Sequence, residues 1–389
     1  MTLRKTVIAF LLMAAMIAGI SNTAGLQAAS KKTVRVAIAK ELKAALKDTS
    51  VGTVILRTET FDPITISSKK TKKKKLIVDA PNSIVTNRSV FKSVEIISAR
   101  KYIEDVSGNT LSVKGKTDLE IAAEKSVKKL TFSDQTVYFN IRKKASVKTL
   151  SYKSENISSS FDSKTNELTV SDKSYSSMGE EYVIKYIYKL DKSGRVLSIA
   201  RDKSSGGNVI RTYQYDDNGN LLVEEQKLSS GETQVCIKNT YDKNNNRTSC
   251  TEEYYSGEDT STYREESEYD KNGNEIKRKL QKPSETFMYE ISYDTKGRPV
   301  KGTVTSLEPD KSYVVEYKYD KKGFLIKQLE YVNGEEDTVS TNTYDKFGNK
   351  VSSYIVVKNP DGDDYSLERI YSFDELGNET GREVKYNGQ

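Results

Sequence analysis

Tyr213-Gln214-Tyr215-Asp216-Asp217-Asn218-Gly219-Asn220-Leu221 is the stretch on which the reading of this sequence turns. Its kernel is an aromatic residue, Asp, two variable residues, Gly, and then Asn or Arg. The kernel returns at Tyr269-Asp270, Tyr293-Asp294, Tyr344-Asp345 and Phe373-Asp374, as far as the glycine at Tyr319-Asp320, and with variants at Leu190-Asp191 and Tyr241-Asp242. Successive aspartates from Asp191 to Asp374 lie 25, 26, 28, 24, 26, 25 and 29 residues apart. Units at so constant a spacing define a repeat array. Asp opens a type I turn and accepts from the backbone N–H two residues on, while Gly in the left-handed region closes a bulged hairpin. Asn245 replaces Gly in one unit, and Asn is the next-best left-handed residue.

The flanking segments are strands. Ser312-Tyr313-Val314-Val315-Glu316-Tyr317-Lys318-Tyr319 and Phe324-Leu325-Ile326-Lys327-Gln328-Leu329 carry β-branched and aromatic residues in partial alternation. A lone two-stranded ribbon is marginal, so neighbouring hairpins are expected to pair into a long antiparallel array. Tyr186/Tyr188, Tyr213/Tyr215 and Tyr317/Tyr319 sit two apart and so share a face. They read as a packing ladder or as a ligand platform. Cys236 and Cys250 straddle the Lys243-Asn244 turn at almost equal distance, which predicts opposed positions and a disulfide in an oxidising compartment. A one-residue slip would put them on opposite faces.

The array resembles the RHS/YD-repeat family, whose consensus is similar to Tyr-x-Tyr-Asp-x-x-Gly-Asn-Leu and is matched best by Tyr213 to Leu221. The match covers about residues 180–389. The resemblance implies curled sheets of β-hairpins and extracellular scaffolding, encapsulation or carbohydrate-linked adhesion. Eight repeats are too few to enclose a cargo, and no toxin domain follows the last one, so a toxin shell is not expected.

The N-terminal half reads differently. Lys40-Glu41-Leu42-Lys43-Ala44-Ala45-Leu46-Lys47 has apolar residues at helical spacing and precedes short β-rich runs such as Thr53-Val54-Ile55-Leu56 and Leu76-Ile77-Val78. Ser126-Val127-Lys128-Lys129-Leu130-Thr131 recurs 20 residues later as Ser146-Val147-Lys148-Thr149-Leu150-Ser151. Short strands repeating at about one coil turn suggest a parallel β-helix of about six turns. The helix followed by Gly52-Thr53-Val54-Ile55-Leu56 is similar to the N-terminal cap of pectin-lyase-like β-helix proteins. Lyases of that superfamily use clustered Asp with calcium and a basic residue; no Asp cluster lies on these rungs, so the fold is expected and the activity is not.

Charge divides the chain in the same place. Residues 31–175 hold 29 basic and 16 acidic groups, net +13, whereas residues 176–389 hold 31 and 39, net −8. Lys69, Lys70, Lys72, Lys73, Lys74 and Lys75 form a run broken only by Thr71. The run reads as a solvated loop or as a site for an acidic wall polymer or glycan. Nucleic acid is not expected, because the run lacks interleaved aromatics. Arg4 and Lys5, the apolar Val7–Ile20 stretch and the small residues before Ser30 describe a cleaved leader over residues 1–28 and a secreted or extracellular location, with no membrane span.

The sequence has no His, which removes Ser/His/Asp, Cys/His and His-ligated zinc chemistry. The Asp/Asn-rich turns superficially resemble calcium loops, but turn chemistry explains the same letters, and no metal or cofactor is expected. No pair of carboxylates stands out for glycosidase work. The expectation is an all-β protein: a basic β-helix-like domain over 29–175, then YD hairpin repeats over 176–389. Its expected role is a secreted or wall-associated binding or adhesion scaffold without catalysis. The alternatives are a polysaccharide lyase or hydrolase and a purely structural spacer.

Overall fold

The computed structural model describes residues 31–115, 117–133, 139–175, 179–203, 208–257, 259–307, 310–359 and 362–387. The expected leader, 1–28, lies outside the described residues. The described chain is nearly all β: a parallel solenoid of about six turns, then an antiparallel sheet of 18 strands.

Alternation builds the solenoid. In Lys75–Asn87 and Ser93–Glu104 every second residue is buried over most of the strand, so half of each strand faces a lumen. Parallel pairing in register stacks those residues into columns. One runs Val54, Leu76, Val94, Leu111, Leu130, Leu150, and a second runs Leu56, Val78, Ile96, Val113, Phe132, Tyr152. All twelve are at most 3% exposed. The 20-residue repeat is one rung: Ser126 pairs with Ser146, Val127 with Val147 and Leu130 with Leu150. The expected cap helix spans Ala39–Lys47 and buries Leu42, Ala45 and Leu46 against the first strands.

Another column carries polar groups. It runs Ile66, Asn87, Glu104, Ile121, Ile141. Glu104 is wholly buried. It accepts hydrogen bonds from Asn87 Nδ2 (3.2 and 3.1 Å), Asn109 Nδ2 (2.6 Å) and the Tyr102 hydroxyl (3.0 Å). Burial nevertheless pushes its pKa up to about 7, because three neutral donors do not replace full hydration of a carboxylate.

The antiparallel sheet begins at Ile157–Asp162, not after residue 175, and its strands follow one another in sequence order to Glu379–Asn387. All eight YD turns have one construction. A bulge falls immediately before the aspartate, as between Gln214 and Tyr215. The fourth residue has positive φ, from 77° to 90° at the glycines and 65° at Asn245. Asp216 Oδ1 accepts from the backbone N–H groups of Asn218 and Asn220, each at 2.8 Å, and Oδ2 accepts from Asn220 Nδ2 at 2.8 Å. The side-chain bond explains the Asn or Arg after glycine: Arg195, Asn246, Asn274, Arg298, Asn349 and Asn378 make the same contact. In the remaining unit the position is Phe324, whose ring stacks on Tyr344 at 4.8 Å instead.

The tyrosine before each aspartate ties unit to unit. Its hydroxyl donates to a carbonyl just past the previous turn: Tyr215 to Val196, Tyr241 to Leu221, Tyr269 to Arg247, Tyr293 to Glu275, Tyr319 to Pro299 and Tyr344 to Leu325, at 2.8–3.0 Å. The first unit has Leu190, with no unit before it, and the last has Phe373.

Solenoid and sheet meet along the turns. Val147 N donates to Ser193 O (2.8 Å) and Lys143 N to Asn218 O (3.1 Å). At the other end Phe61 N donates to Gly323 O (3.0 Å), Thr60 Oγ1 to Lys322 O (2.9 Å), and Arg57 Nη1 to Leu376 O (3.1 Å) and Asn378 Oδ1 (2.9 Å). The first turns therefore lie on the last rungs and the last turns on the first rungs. Gly219 shows how close the approach is, since a Cβ there would stand 2.0 Å from the Ile141 carbonyl oxygen.

Candidate ligand-binding surfaces

The paired tyrosines divide by environment. Tyr188 is 4% exposed, stacks on Tyr152 at 5.5 Å and belongs to the solenoid core, so it is closed to a ligand. Burial pushes its hydroxyl up to about 12. Tyr186 packs against the same core. Tyr215 and Tyr319 spend their hydroxyls on the unit-to-unit ladder, and Arg298 lies 4.8 Å over the Tyr319 ring while Phe61 meets its edge at 5.2 Å. Tyr213 and Tyr317 are half-buried, and burial raises both hydroxyl pKa values. Among the described residues neither ring stacks on another aromatic ring, although Arg211 hydrogen-bonds the Tyr213 hydroxyl.

Cys236 and Cys250 are both free thiols, which corrects the expected disulfide. The turn closes between Asp242 and Asn246 with a bulge at Thr240/Tyr241. That register sets Cys250 opposite Asn239 and Cys236 opposite Glu253, three residues apart along the strand and so on opposite faces. Burial pushes the Cys250 thiol up to about 11, far from the thiolate form.

The lysine run separates into three roles. Lys69, Lys70, Lys72 and Lys73 are exposed. Lys74, expected to face a ligand with them, is 3% exposed; its ammonium donates to the carbonyl of Asp48, where the cap helix ends, and to Val51 O at 2.7 Å. A cation at a helix C-terminus satisfies orphaned carbonyls and the helix dipole. Lys75 pairs with Glu95 at 2.7 Å.

Register reveals a longer basic feature. Lys92 N donates to Lys74 O and Lys128 N to Asn109 O, and the 20-residue pairing sets Lys148 beside Lys128. One edge of the solenoid therefore reads Lys74, Lys92, Asn109, Lys128, Lys148 on successive rungs, spaced about 4.8 Å apart. Lys92, Lys128 and Lys148 are exposed and have no ion pair among the described residues. Some lysines elsewhere on the solenoid do, Lys101 with Glu120 and Lys125 with Asp105, whereas Lys114, Lys129, Lys143 and Lys153 have no ion pair among the described residues either; what sets the edge apart is its alignment. Asn109 interrupts the edge because its side chain turns inward to Glu104 and Ser89 O. Next to the edge, where the solenoid meets the sheet, a groove of about 690 Å³ is lined by Lys129, Thr131, Ser151, Lys153, Ser159 and Lys173. Glu155 lines it too, Lys173 pairs with Glu181 at 3.2 Å, Thr131 and Ser151 bond each other at 2.9 Å and Ser159 donates to Tyr152 O, so Lys129 and Lys153 are the ammonium groups there without an ion pair among the described residues. Sequence reasoning found the 69–75 run by composition but missed the edge, whose signal is the 20-residue repeat of Lys128 in Lys148.

Among the described residues no group of three or more His, Cys, Asp and Glu is placed to hold a metal ion, and no helix is long and apolar enough to cross a membrane.

No protein-family model matches the chain, and no curated protein matches it. Solved structures do. The crystal structure of TcdB2-TccC3 is similar over 59% of this chain and 19% of its own length, at 12% identity and a TM-score of 0.24. A Photorhabdus luminescens Tc holotoxin pore matches 59% of this chain and 18% of its own, at 11% identity and a TM-score of 0.19. A porin-like protein from Bacteroides uniformis matches 57% of this chain and 96% of its own, at 12% identity and a TM-score of 0.26. The match thus spans about a fifth of the toxin chains, and at these scores the likenesses carry no argument about activity.

Proposed function

We propose that this chain is an exported, non-catalytic scaffold of the RHS/YD-repeat kind that binds an extended anionic polymer, such as an acidic glycan of a cell wall, along the lysine edge of its solenoid. The observation that carries the reading is the set of exposed, acid-free lysines Lys92, Lys128 and Lys148 in register, with Lys72 and Lys73 near one end. Each lysine adds attraction for a polyanion, and alignment along one axis favours a chain over a compact ion. The array's regular residues are already committed: the aspartates to their turns, most ladder tyrosines to neighbouring units. The array then serves as the extended support on which the basic solenoid is carried.

The test is calorimetric titration of the full mature chain with polygalacturonate and with poly(glycerol phosphate). Binding is expected at about 0.1 M salt and is expected to be lost near 1 M, where the screening length falls to roughly 3 Å. Replacing Lys92, Lys128 and Lys148 together by Gln is expected to weaken binding at least about tenfold, a loss of about 1.4 kcal/mol. Salt-insensitive binding overturns the lysine edge as the site, and no binding to either polymer overturns the reading and leaves the spacer.

A further inference from the structure

The seam between solenoid and array leaves a recess of about 420 Å³ beside the first rungs and the last two YD turns. That volume lies in the range of small-ligand sites. Arg35 and Arg57 border it from the solenoid, Tyr371 and Phe373 from the array.

The two arginines are used differently. Arg57 uses Nε on Asp79 at 3.0 Å and Nη1 on Leu376 O and Asn378 Oδ1. Arg35 donates from Nη2 to Asn349 Oδ1, but its Nε and Nη1 are buried without a partner. Gly377 lies flat against this guanidinium, since a Cβ there would meet Cζ at 2.6 Å. Three carboxylates line the recess and two more lie near the guanidinium, and each has a partner: Asp345 and Asp374 accept from their own turns, Asp79 from Arg57 and Ser98, Glu379 from Arg382 at 3.0 Å, and Glu59 from Asn82 Nδ2 at 3.1 Å. Burial lowers the pKa of Arg35 despite the attraction of Asp345, Asp374 and Asp79. A desolvated guanidinium with two unused donors is completed by an oxyanion.

The array side departs from its own rule at the same place. At six earlier junctions a tyrosine hydroxyl bonds a carbonyl past the previous turn, and at this junction the ladder residue is Phe373, which has no hydroxyl to offer Lys350 O. The Tyr371 and Phe373 rings stand 6.5 Å apart and tilted by 32°. Arg382 lies over the Tyr371 ring at 5.3 Å, and the remaining surface of the pair gives the recess an apolar wall of the kind that packs against the C–H face of a sugar.

We propose that this recess binds a small polyhydroxylated ligand carrying one oxyanion, a sugar acid or a sugar phosphate, with the anion on Arg35 and the ring against Tyr371. The ligand bridges the solenoid and the last repeat. The proposal stands on the seam alone and does not require the lysine edge to bind anything.

The test is calorimetric titration of the full mature chain with glucuronate, glucose 6-phosphate and neutral glucose. Saturable one-to-one binding of at least one anionic sugar, and none of glucose, is expected; whichever anion responds assigns carboxylate or phosphate. Tyr371→Ala is expected to weaken binding about tenfold. Phe373→Tyr, which restores the ladder hydroxyl and narrows the recess, is expected to weaken it likewise while leaving the melting temperature equal or higher. That pairing separates loss of the site from loss of the fold. Replacing Lys92, Lys128 and Lys148 by Gln is expected to change nothing. No saturable binding by the wild-type chain, binding unaltered in both ring variants, or binding abolished by the lysine variant would each overturn the proposal.

Discussion

The two halves of the chain solve the same problem, stacking short β units, by different physics. The solenoid wraps each strand around a lumen, and the continuous apolar cluster runs from Val36 to Leu190. Beyond Leu190 the buried apolar side chains among the described residues are Cys250, Phe324 and Leu329. The array replaces a lumen with hydrogen bonds: aspartate turns within each unit and tyrosine hydroxyls between units. Apolar burial is nondirectional and tolerates varied sequence, whereas a hydrogen-bonded ladder demands one residue type at one position. The conspicuous repeat therefore marks the half with less core.

Substitutions can break this contrast. The largest effect is expected in the lumen. Leu111→Ala, wholly buried, is expected to cost about 2–5 kcal/mol in urea unfolding, while half-buried Ile291→Ala in the array is expected to cost about 1 kcal/mol or less. Equal costs would show that the array has a comparable core.

Glu104→Gln comes next. Its folded pKa is raised to about 7 from an ordinary 4.5, so its contribution is fully present below pH 4.5 and is lost as pH rises through 7. The wild type is expected to lose on the order of 2–3 kcal/mol between those limits from this group. The Gln variant lacks that loss, so thermal melts at acid and mildly alkaline pH should show the two proteins diverging as pH rises.

Two glycines sharpen the seam. Gly219 and Gly231 both have positive φ, 83° and 92°, but a Cβ at Gly231 meets nothing within 4 Å. Gly231→Ala is expected to cost about 1–2 kcal/mol from backbone conformation, and Gly219→Ala at least twice as much because the Ile141 carbonyl must also move. Similar melting shifts would mean the turn edge is not held against the solenoid.

The smallest effect separates two rungs of the ladder. Tyr293→Phe removes a 2.8 Å bond to Glu275 O and is expected to cost about 1 kcal/mol. Tyr241→Phe is expected to cost less, because Asn239 Nδ2 also donates to the same Leu221 carbonyl at 3.0 Å. A double comparison by chemical denaturation reads the difference.

Local features were legible in the sequence, and contacts between distant segments were not. The positive φ at Gly219 and Asn245, the bulge before Tyr215 and the pairing of Leu130 with Leu150 follow from neighbours in the chain. The docking of Gly323 on Phe61 and of Asn218 on Lys143 uses backbone groups that any residue supplies, so no pattern announces it. Lys74 is one of six lysines in the run, and only the position of the cap helix above it shows that it is buried. The cysteine pairing failed because the bulge and the turn at Asp242–Asn246 set a register that equal spacing does not reveal. The antiparallel sheet begins at Ile157 because Ile157–Asp162 and Glu167–Tyr175 form a hairpin without a YD kernel.

The central claim, that the solenoid edge binds and the array supports it, is tested most directly by lysine acetylation of the full chain with and without an anionic polymer, read by mass spectrometry. The account predicts protection at Lys72, Lys73, Lys92, Lys128 and Lys148, no change at the exposed array lysines Lys238, Lys279 and Lys318, and a Lys74 that stays unreactive throughout. Protection of the array lysines with the solenoid edge unchanged would contradict it.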